Sequence, residues 1–252
     1  YVMRKPLMAG NWKMHKTIPE AVAMVKELKS KIADVKDVEV LICPAFTALY
    51  SLANEAKGSN IKIGAQNLFW EPKGAFTGEI AANMVTDAGC SYVIIGHSER
   101  RQYFGETDET VNKRIKAALN AGLIPIVCVG ETLNERESNV TFKVIEKQVR
   151  DGIKELTAEE SAKIVIAYEP VWAIGTGKTA TPDQAQEVHA FIRKVYSEMY
   201  GSAAEGTRIL YGGSVKPDNV AELMKKEDID GGLVGGASLE AASFEKLVKF
   251  GK

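Results

Sequence analysis

Glu169 closes the apolar run Ile164-Val165-Ile166-Ala167-Tyr168 and precedes a long segment without helical spacing. A carboxylate placed there is either a rim ion pair or a general base, because desolvation under a closing loop raises it towards the range useful for proton abstraction. His97 stands likewise after Tyr92-Val93-Ile94-Ile95-Gly96. A lone histidine there is a structural hydrogen-bonder or, beside a carboxylate base, a proton donor and polariser of a carbonyl. Asn11 and Lys13 follow the first apolar run. An ammonium at a strand end is a solvated charge, or it stabilises a developing enolate oxygen, and Asn11 stands on the same positional ground. Gly212-Gly213-Ser214 and Gly235-Gly236 follow the last two runs. They are tight turns or, together, a phosphate site built from backbone N–H groups.

Groups so far apart in sequence meet only if the chain brings strand ends to one face, which parallel α/β folds do. Eight short apolar, β-branched runs recur, at residues 7–11, 38–43, 61–66, 92–97, 124–130, 164–169, 208–211 and 232–234. Their near-continuous hydrophobicity fits strands buried on both faces. Helical segments alternate with them and carry start signals. Thr17-Ile18-Pro19-Glu20 and Thr181-Pro182-Asp183-Gln184 read as capping boxes. Behind the first, Val22, Val25, Leu28 and Ile32 make one apolar face. Gly122 and Gly152 are helix-end or loop candidates, the second inside an otherwise helical stretch 142–156. Alternation alone suits an open doubly wound sheet as well. Eight units of about 31 residues, in a total near the usual ~250, favour a closed (βα)8 barrel. No linker divides the chain, so residues 1–252 read as one domain. Two connections are long, 67–79 and 170–180. Loops of that length usually bind, cover or contact something.

Composition removes other classes. With 32 basic and 33 acidic residues the net charge is −1, so no basic excess exists to neutralise nucleic acid or anionic lipid. The longest apolar stretch, 123–129, is far below the roughly 18 residues of a membrane span. No hydrophobic signal-peptide core follows Arg4 and Lys5, so a cytoplasmic location is expected. Cys43, Cys90 and Cys128 are odd in number and lack a C-x-x-C, which reads as reduced thiols. His15, His97 and His189 are isolated, and no metal site is expected.

Three decoys fail their context. Gly175-Thr176-Gly177-Lys178-Thr179 lacks the earlier glycine of a P-loop, that position being Trp172. As a dinucleotide fingerprint it stands five residues from its strand and late in the chain. Gly212-Gly213-Ser214-Val215-Lys216 has Lys216 where a nucleophile elbow needs glycine.

Longer motifs carry more. Ala9-Gly10-Asn11-Trp12-Lys13-Met14, Gly96-His97-Ser98-Glu99-Arg100-Arg101, the stretch 167–177 (AYEPVWAIGTG), Tyr211-Gly212-Gly213-Ser214-Val215 and residues 233–239 (LVGGASL) resemble the triosephosphate isomerase family across essentially the whole chain. The resemblance implies a TIM barrel that interconverts dihydroxyacetone phosphate and D-glyceraldehyde 3-phosphate through an enediolate, in glycolysis and gluconeogenesis, without cofactor or metal. Glu169 would shuttle the carbon-bound proton and a neutral His97 would polarise the carbonyl. Lys13 and Asn11 would stabilise the enediolate. Gly175, Ser214, Gly235 and Gly236 would bind phosphate. The 170–180 segment would close as a lid, latched by Tyr211 and Ser214. A homodimer is implied in which the loop 67–79, Thr77 near its tip, enters a pocket beside Asn11, Lys13 and Glu99 of the partner subunit. Phe69, Trp70 and Phe76 in that loop would expose apolar area unless packed. One departure is Ala81-Ala82, where many relatives have Ser-Pro at a helix start. Two alternatives remain at this stage: another phosphate-binding barrel enzyme, such as a sugar-phosphate epimerase or an indole-forming synthase, and a non-catalytic barrel.

Overall fold

In the computed structural model, which describes residues 4–174, 176 and 178–251, eight strands run β1 (Leu7–Asn11), β2 (Glu39–Cys43), β3 (Ile61–Ala65), β4 (Tyr92–Ile95), β5 (Ile124–Val129), β6 (Val165–Tyr168), β7 (Ile209–Tyr211) and β8 (Gly231–Val234). Every neighbouring pair is parallel, and β8 pairs back onto β1. The result is the closed barrel expected from the count of runs.

Seven of the eight strands are buried on both faces because each contributes to two cores, β3 being the exception, with Lys62, which is exposed, and Gly64 on its inward face. Alternate residues such as Leu7, Ala9, Leu41, Cys43, Ile94 and Ala167 fill the barrel interior. Their neighbours Met8, Ile42, Val93, Ile166 and Ile209 point outward into the layer beneath the helices. This two-residue period on apolar strands is why the runs read as continuous hydrophobicity.

Both capping boxes form at helix starts: the Glu20 carboxylate accepts from the Thr17 N–H at 2.7 Å, and Thr181 and Gln184 bond reciprocally at 3.0 and 3.1 Å. The face of helix Ile18–Lys31 differs slightly from expectation. Ala21, Met24, Val25 and Leu28 are buried, whereas Val22 is half-buried at its edge. The stretch expected as helical over 142–156 ends at Gly152. There the Asn112 amide donates to the carbonyls of Gly152 and Lys154 at 3.1 and 2.9 Å, and Glu155 takes a φ of +60° that no helix continues. Gly122, at φ +78°, follows helix Asp108–Asn120 in the left-handed conformation common after helix ends.

Ala81 is the N-cap of helix Ala82–Asp87, with extended backbone (φ −77°, ψ 157°) and no side-chain cap. A hydroxyl there would satisfy an orphan N–H of the first turn, and proline at position 82 would preset its φ. Ala81→Ser is therefore expected to add about 1 kcal/mol, and Ala82→Pro to hold that gain. At this chain length the gain corresponds to a melting temperature higher by about 2–4 °C. An unchanged melting curve at equal protein concentration would refute the missing-cap account.

Candidate functional site

Strand ends deliver the site. Asn11 ends β1, His97 follows β4 by two residues, Glu169 follows β6 directly, and the Gly212–Ser214 and Gly235–Gly236 turns follow β7 and β8. Together with Lys13 these residues line one cavity of about 290 Å³.

Glu169 is 2% exposed. Its carboxylate accepts from the His97 ring, Nε2 to Oε1 at 2.6 Å, and from the Ser98 N–H at 3.1 Å. The other ring nitrogen, Nδ1, accepts from the Glu99 N–H at 3.2 Å, His97 being the N-cap of helix Ser98–Phe104. A backbone N–H aimed at Nδ1 leaves one ring proton, on Nε2, and so assigns a neutral imidazole. Charge interactions pull the other way here. Burial is the largest single influence and disfavours the imidazolium, but the charge and hydrogen bond of Glu169, with Glu99 adding to them, together outweigh it and hold His97 above its ordinary value. Of the two, the hydrogen-bond pattern decides the resting tautomer, since a protonated Nδ1 would face a donor. The raised value belongs to the carboxylate contact and goes when that contact breaks.

Lys13 has φ +52°, a left-handed backbone that costs a non-glycine residue roughly 1 kcal/mol. Its N–H is held by Asn11 Oδ1 at 3.1 Å and its carbonyl by Gln66 Nε2 at 2.8 Å. Its ammonium lies 2.6 Å from Glu99 Oε1. Gly235 lies beside it, since a Cβ there would come 3.8 Å from Lys13 Cε. Behind that turn, Ser238 bonds the Gly235 carbonyl through its N–H and hydroxyl, at 2.9 and 2.7 Å. Ser214 is held from below, its carbonyl accepting the Asn219 amide at 2.9 Å. Gly212 must be glycine for a local reason: a Cβ would stand 2.9 Å from Glu169 Cγ and 3.1 Å from the Tyr168 carbonyl oxygen. Gly175, the remaining expected phosphate contact, lies outside the described residues.

Three groups at the site had not been singled out. Ser98 binds the carboxylate of Glu169, and Gln66 binds Lys13, as described above. Glu131, fully buried after β5, accepts through Oε1 from Tyr168, Trp172 and Arg136 at 3.0, 3.1 and 2.9 Å. It thereby ties the residue before Glu169 to the start of the 170–180 segment. Gln66 and Glu131 both sit at strand ends, the signal that found Glu169. The Tyr211 hydroxyl, expected as a latch, is buried beside the backbone N–H of Ala180 at the end of the 170–180 segment, without a hydrogen bond of full geometry among the described residues, and burial pushes its phenol up to about 12. Burial, with the Glu169 carboxylate adding to it, pushes the Cys128 thiol well up, so that thiol stays protonated.

A family model described as triosephosphate isomerase matches residues 6–251. The triosephosphate isomerase of Endomicrobium trichonymphae is 72% identical over 250 residues, covering 99% of this chain and 100% of that protein. That of Trichlorobacter lovleyi is 59% identical over 249 residues, covering 98% and 99%. A crystal structure of triosephosphate isomerase from Bartonella henselae superposes with a TM-score of 0.88 at 41% identity, covering 96% of this chain and 97% of that one.

Proposed function

The chain belongs to the triosephosphate isomerase family, and from that premise we propose that Glu169 is its base, His97 its proton donor, and Lys13 with Asn11 its oxyanion stabilisers. The reaction, interconversion of dihydroxyacetone phosphate and D-glyceraldehyde 3-phosphate, moves one proton between adjacent carbons and one between their oxygens. The observation that carries the assignment is the buried Glu169–His97 contact of 2.6 Å on the cavity wall that Lys13 also lines.

In the resting arrangement the carboxylate is occupied by His97 and Ser98. To reach a substrate carbon it leaves them, which frees the Nε2 proton of His97 for a substrate oxygen. The same movement removes the interaction that raised the ring's affinity for a proton. Burial and the Lys13 charge, both lowering, then oppose only Glu99. A neutral imidazole of low basicity is the suitable partner for an enediolate, because donor and acceptor are then closer in proton affinity. Those roles are the ones the family resemblance already implies. Lys13 places positive charge where the enediolate oxygen develops, and water exclusion by the 170–180 lid strengthens both interactions. The Ser214 hydroxyl and the N–H groups of Gly235, Gly236 and Gly175 hold the phosphate, with Lys13 supplying charge to the same triose phosphate. Proton transfer and fixed charge suffice for this sequence, so it calls for no metal or cofactor. Turnover of glyceraldehyde 3-phosphate by the purified chain in chelator, compared with Glu169→Gln, tests the assignment.

The same reading makes residues 1–252 one domain, in the cytoplasm, paired as a homodimer through residues 67–79. The loop packs on itself, with Phe69 4.1 Å from Trp70 and 4.8 Å from Phe76 between ring centroids, yet Phe76 stays 43% exposed. Facing the solvent beside the site is a second cavity lined by Met14, Phe46, Asn67, Glu99 and Phe104 among others. Met14 there is 93% exposed, and Asn67 Oδ1 is buried without a partner among the described residues. A two-fold dimer placing each loop, Thr77 at its tip, in the other's cavity would cover both features. Sedimentation at micromolar concentration is expected to give twice the chain mass; a monomer would count against the loop's role.

A further inference from the structure

We propose that Lys216 is a second cation of the cavity, one that draws the substrate's phosphate in and helps to hold it. This rests on the isomerase reading of the site given above and adds to it a charge that touches no reacting atom. Lys216 lines the same cavity as Ser214, Gly235 and Gly236, and it stands two residues beyond the Ser214 hydroxyl in the chain. It is also the residue that breaks the nucleophile-elbow pattern at 212–216.

The charges around the cavity leave a place for it. A phosphate monoester carries about −1.5 to −2 at neutral pH. Among the described residues, the titratable groups that line the cavity are Lys13, His97, Glu169 and Lys216. Lys13 is neutralised by Glu99 at 2.6 Å, and the resting His97 is neutral. Without Lys216 the entering phosphate would meet the uncompensated carboxylate of Glu169, and with it the formal charges cancel. The ammonium is also uncommitted. Lys225 and Lys226, on and just after the next helix, are paired with Glu222 and Asp183, whereas no carboxylate pairs with Lys216 among the described residues. Asp218, two positions on, does not line the cavity.

The turn fixes the point from which that charge reaches. Asn219 Oδ1 accepts the Lys216 N–H at 2.8 Å, and the Lys216 carbonyl accepts the N–H groups of Asn219 and Val220 at 3.1 and 3.0 Å. Pro217 follows and disfavours a helical backbone at residue 216. The same Asn219 carboxamide holds the Ser214 carbonyl through Nδ2. One side chain thus sets the spacing between the phosphate hydroxyl and the lysine, with Val215 buried between them. From there a flexible four-carbon stem carries a compact, strongly hydrated charge. Such a group attracts an anion over distance and across water, so its effect is screened by salt.

The test compares the full chain with Lys216→Met, Lys216→Arg and Lys216→Glu between about 10 and 300 mM ionic strength, each variant checked by melting. Two quantities are read: kcat/KM for glyceraldehyde 3-phosphate, and the Kd of inorganic phosphate by calorimetric titration. At low ionic strength Lys216→Met is expected to lower kcat/KM about 3- to 10-fold, with the loss carried by KM, and to weaken phosphate binding by a similar factor. Lys216→Glu, which reverses the charge, should lose about 10- to 100-fold, and Lys216→Arg should stay within twofold of the parent. At high ionic strength the gap between parent and Lys216→Met should close to within about twofold. Parent-like values for Lys216→Met at low salt, a loss that persists unchanged at high salt, or an equal loss in Lys216→Arg would overturn the inference. A folded parent without turnover would instead overturn the isomerase reading, and the phosphate titration would then decide the role of Lys216 alone.

Discussion

Glu169→Gln is expected to slow isomerisation of glyceraldehyde 3-phosphate by at least about a thousandfold, roughly 4 kcal/mol of barrier, with the chain still folded. The amide has the shape of the carboxylate and keeps one oxygen to accept the His97 Nε2 proton across the 2.6 Å contact. It cannot take a proton from carbon. The local disturbance is confined to the Ser98 N–H, which loses its acceptor at the second oxygen. That is a loss of about 1–3 kcal/mol in stability, separable from catalysis by melting each protein. Chelator in the assay makes metal dependence visible, and identical purification of both proteins exposes contaminating host isomerase. Rates within tenfold of each other would remove Glu169 as base and return its carboxylate to a structural role beside His97.

Acid should weaken the fold through a residue outside the site. His189 is fully buried on helix Pro182–Tyr200, and burial lowers its affinity for a proton to about 4. Nδ1 lies 2.9 Å from the Asp228 carbonyl, to which it donates, while Nε2 is buried without a partner among the described residues. Asp230 and Arg193 contribute opposing charges nearby. In the unfolded chain the ring titrates near 6.5. Below that pH the unfolded state gains a proton that the folded state refuses, so stability falls as pH drops. The loss is complete near pH 4, where the folded ring also protonates, and amounts to about 3 kcal/mol. Urea unfolding at pH 6.5 and 4, at fixed protein concentration, measures it. Carboxylates contribute to the same difference, so the comparison is with His189→Asn, whose amide reproduces the Nδ1 donor without titrating. An equal drop in both proteins would show that His189 is not the source.

The barrel was legible because the physics that builds it leaves a local trace. Strands buried on both faces must be apolar throughout, and all eight runs became strands, the first with its ends unchanged and the others with one or both ends moved by one or two residues. Asn11, Lys13, His97 and Glu169 were legible for the complementary reason: a polar residue at the end of such a run has nowhere to point but the mouth. Gln66 carries the same mark, but it reads equally as the last residue of its strand. Its partners are two carbonyls, and carbonyls have no sequence signature. The left-handed backbone of Lys13 was invisible for the same cause, since lysine, unlike glycine, has no preference for it. Glu131 could be recognised as a hub only once Tyr168, Trp172 and Arg136 were known to converge on it. His189 reads in the sequence only as an isolated histidine, and its burial depends on how helix Pro182–Tyr200 is rotated against the barrel. Gly152 marked a candidate helix end, but the Asn112 side chain that binds its carbonyl left no trace in the sequence.

The pairing of β1 with β8 gives the sheet no permanent first or last member. Leu7 aligns with Gly231 and Gly10 with Val234, so the seam joins segments more than 220 residues apart in the chain. A growing polypeptide leaving the ribosome can therefore assemble its early strands side by side, but it carries two open edges of unpaired N–H and C=O groups until the eighth arrives. The last strand converts a ribbon that can recruit foreign strands into a ring that cannot, and in one step it also brings Gly235 beside Lys13. Protection from aggregation and completion of the phosphate end thus mature together, late, and through the same four residues of backbone pairing.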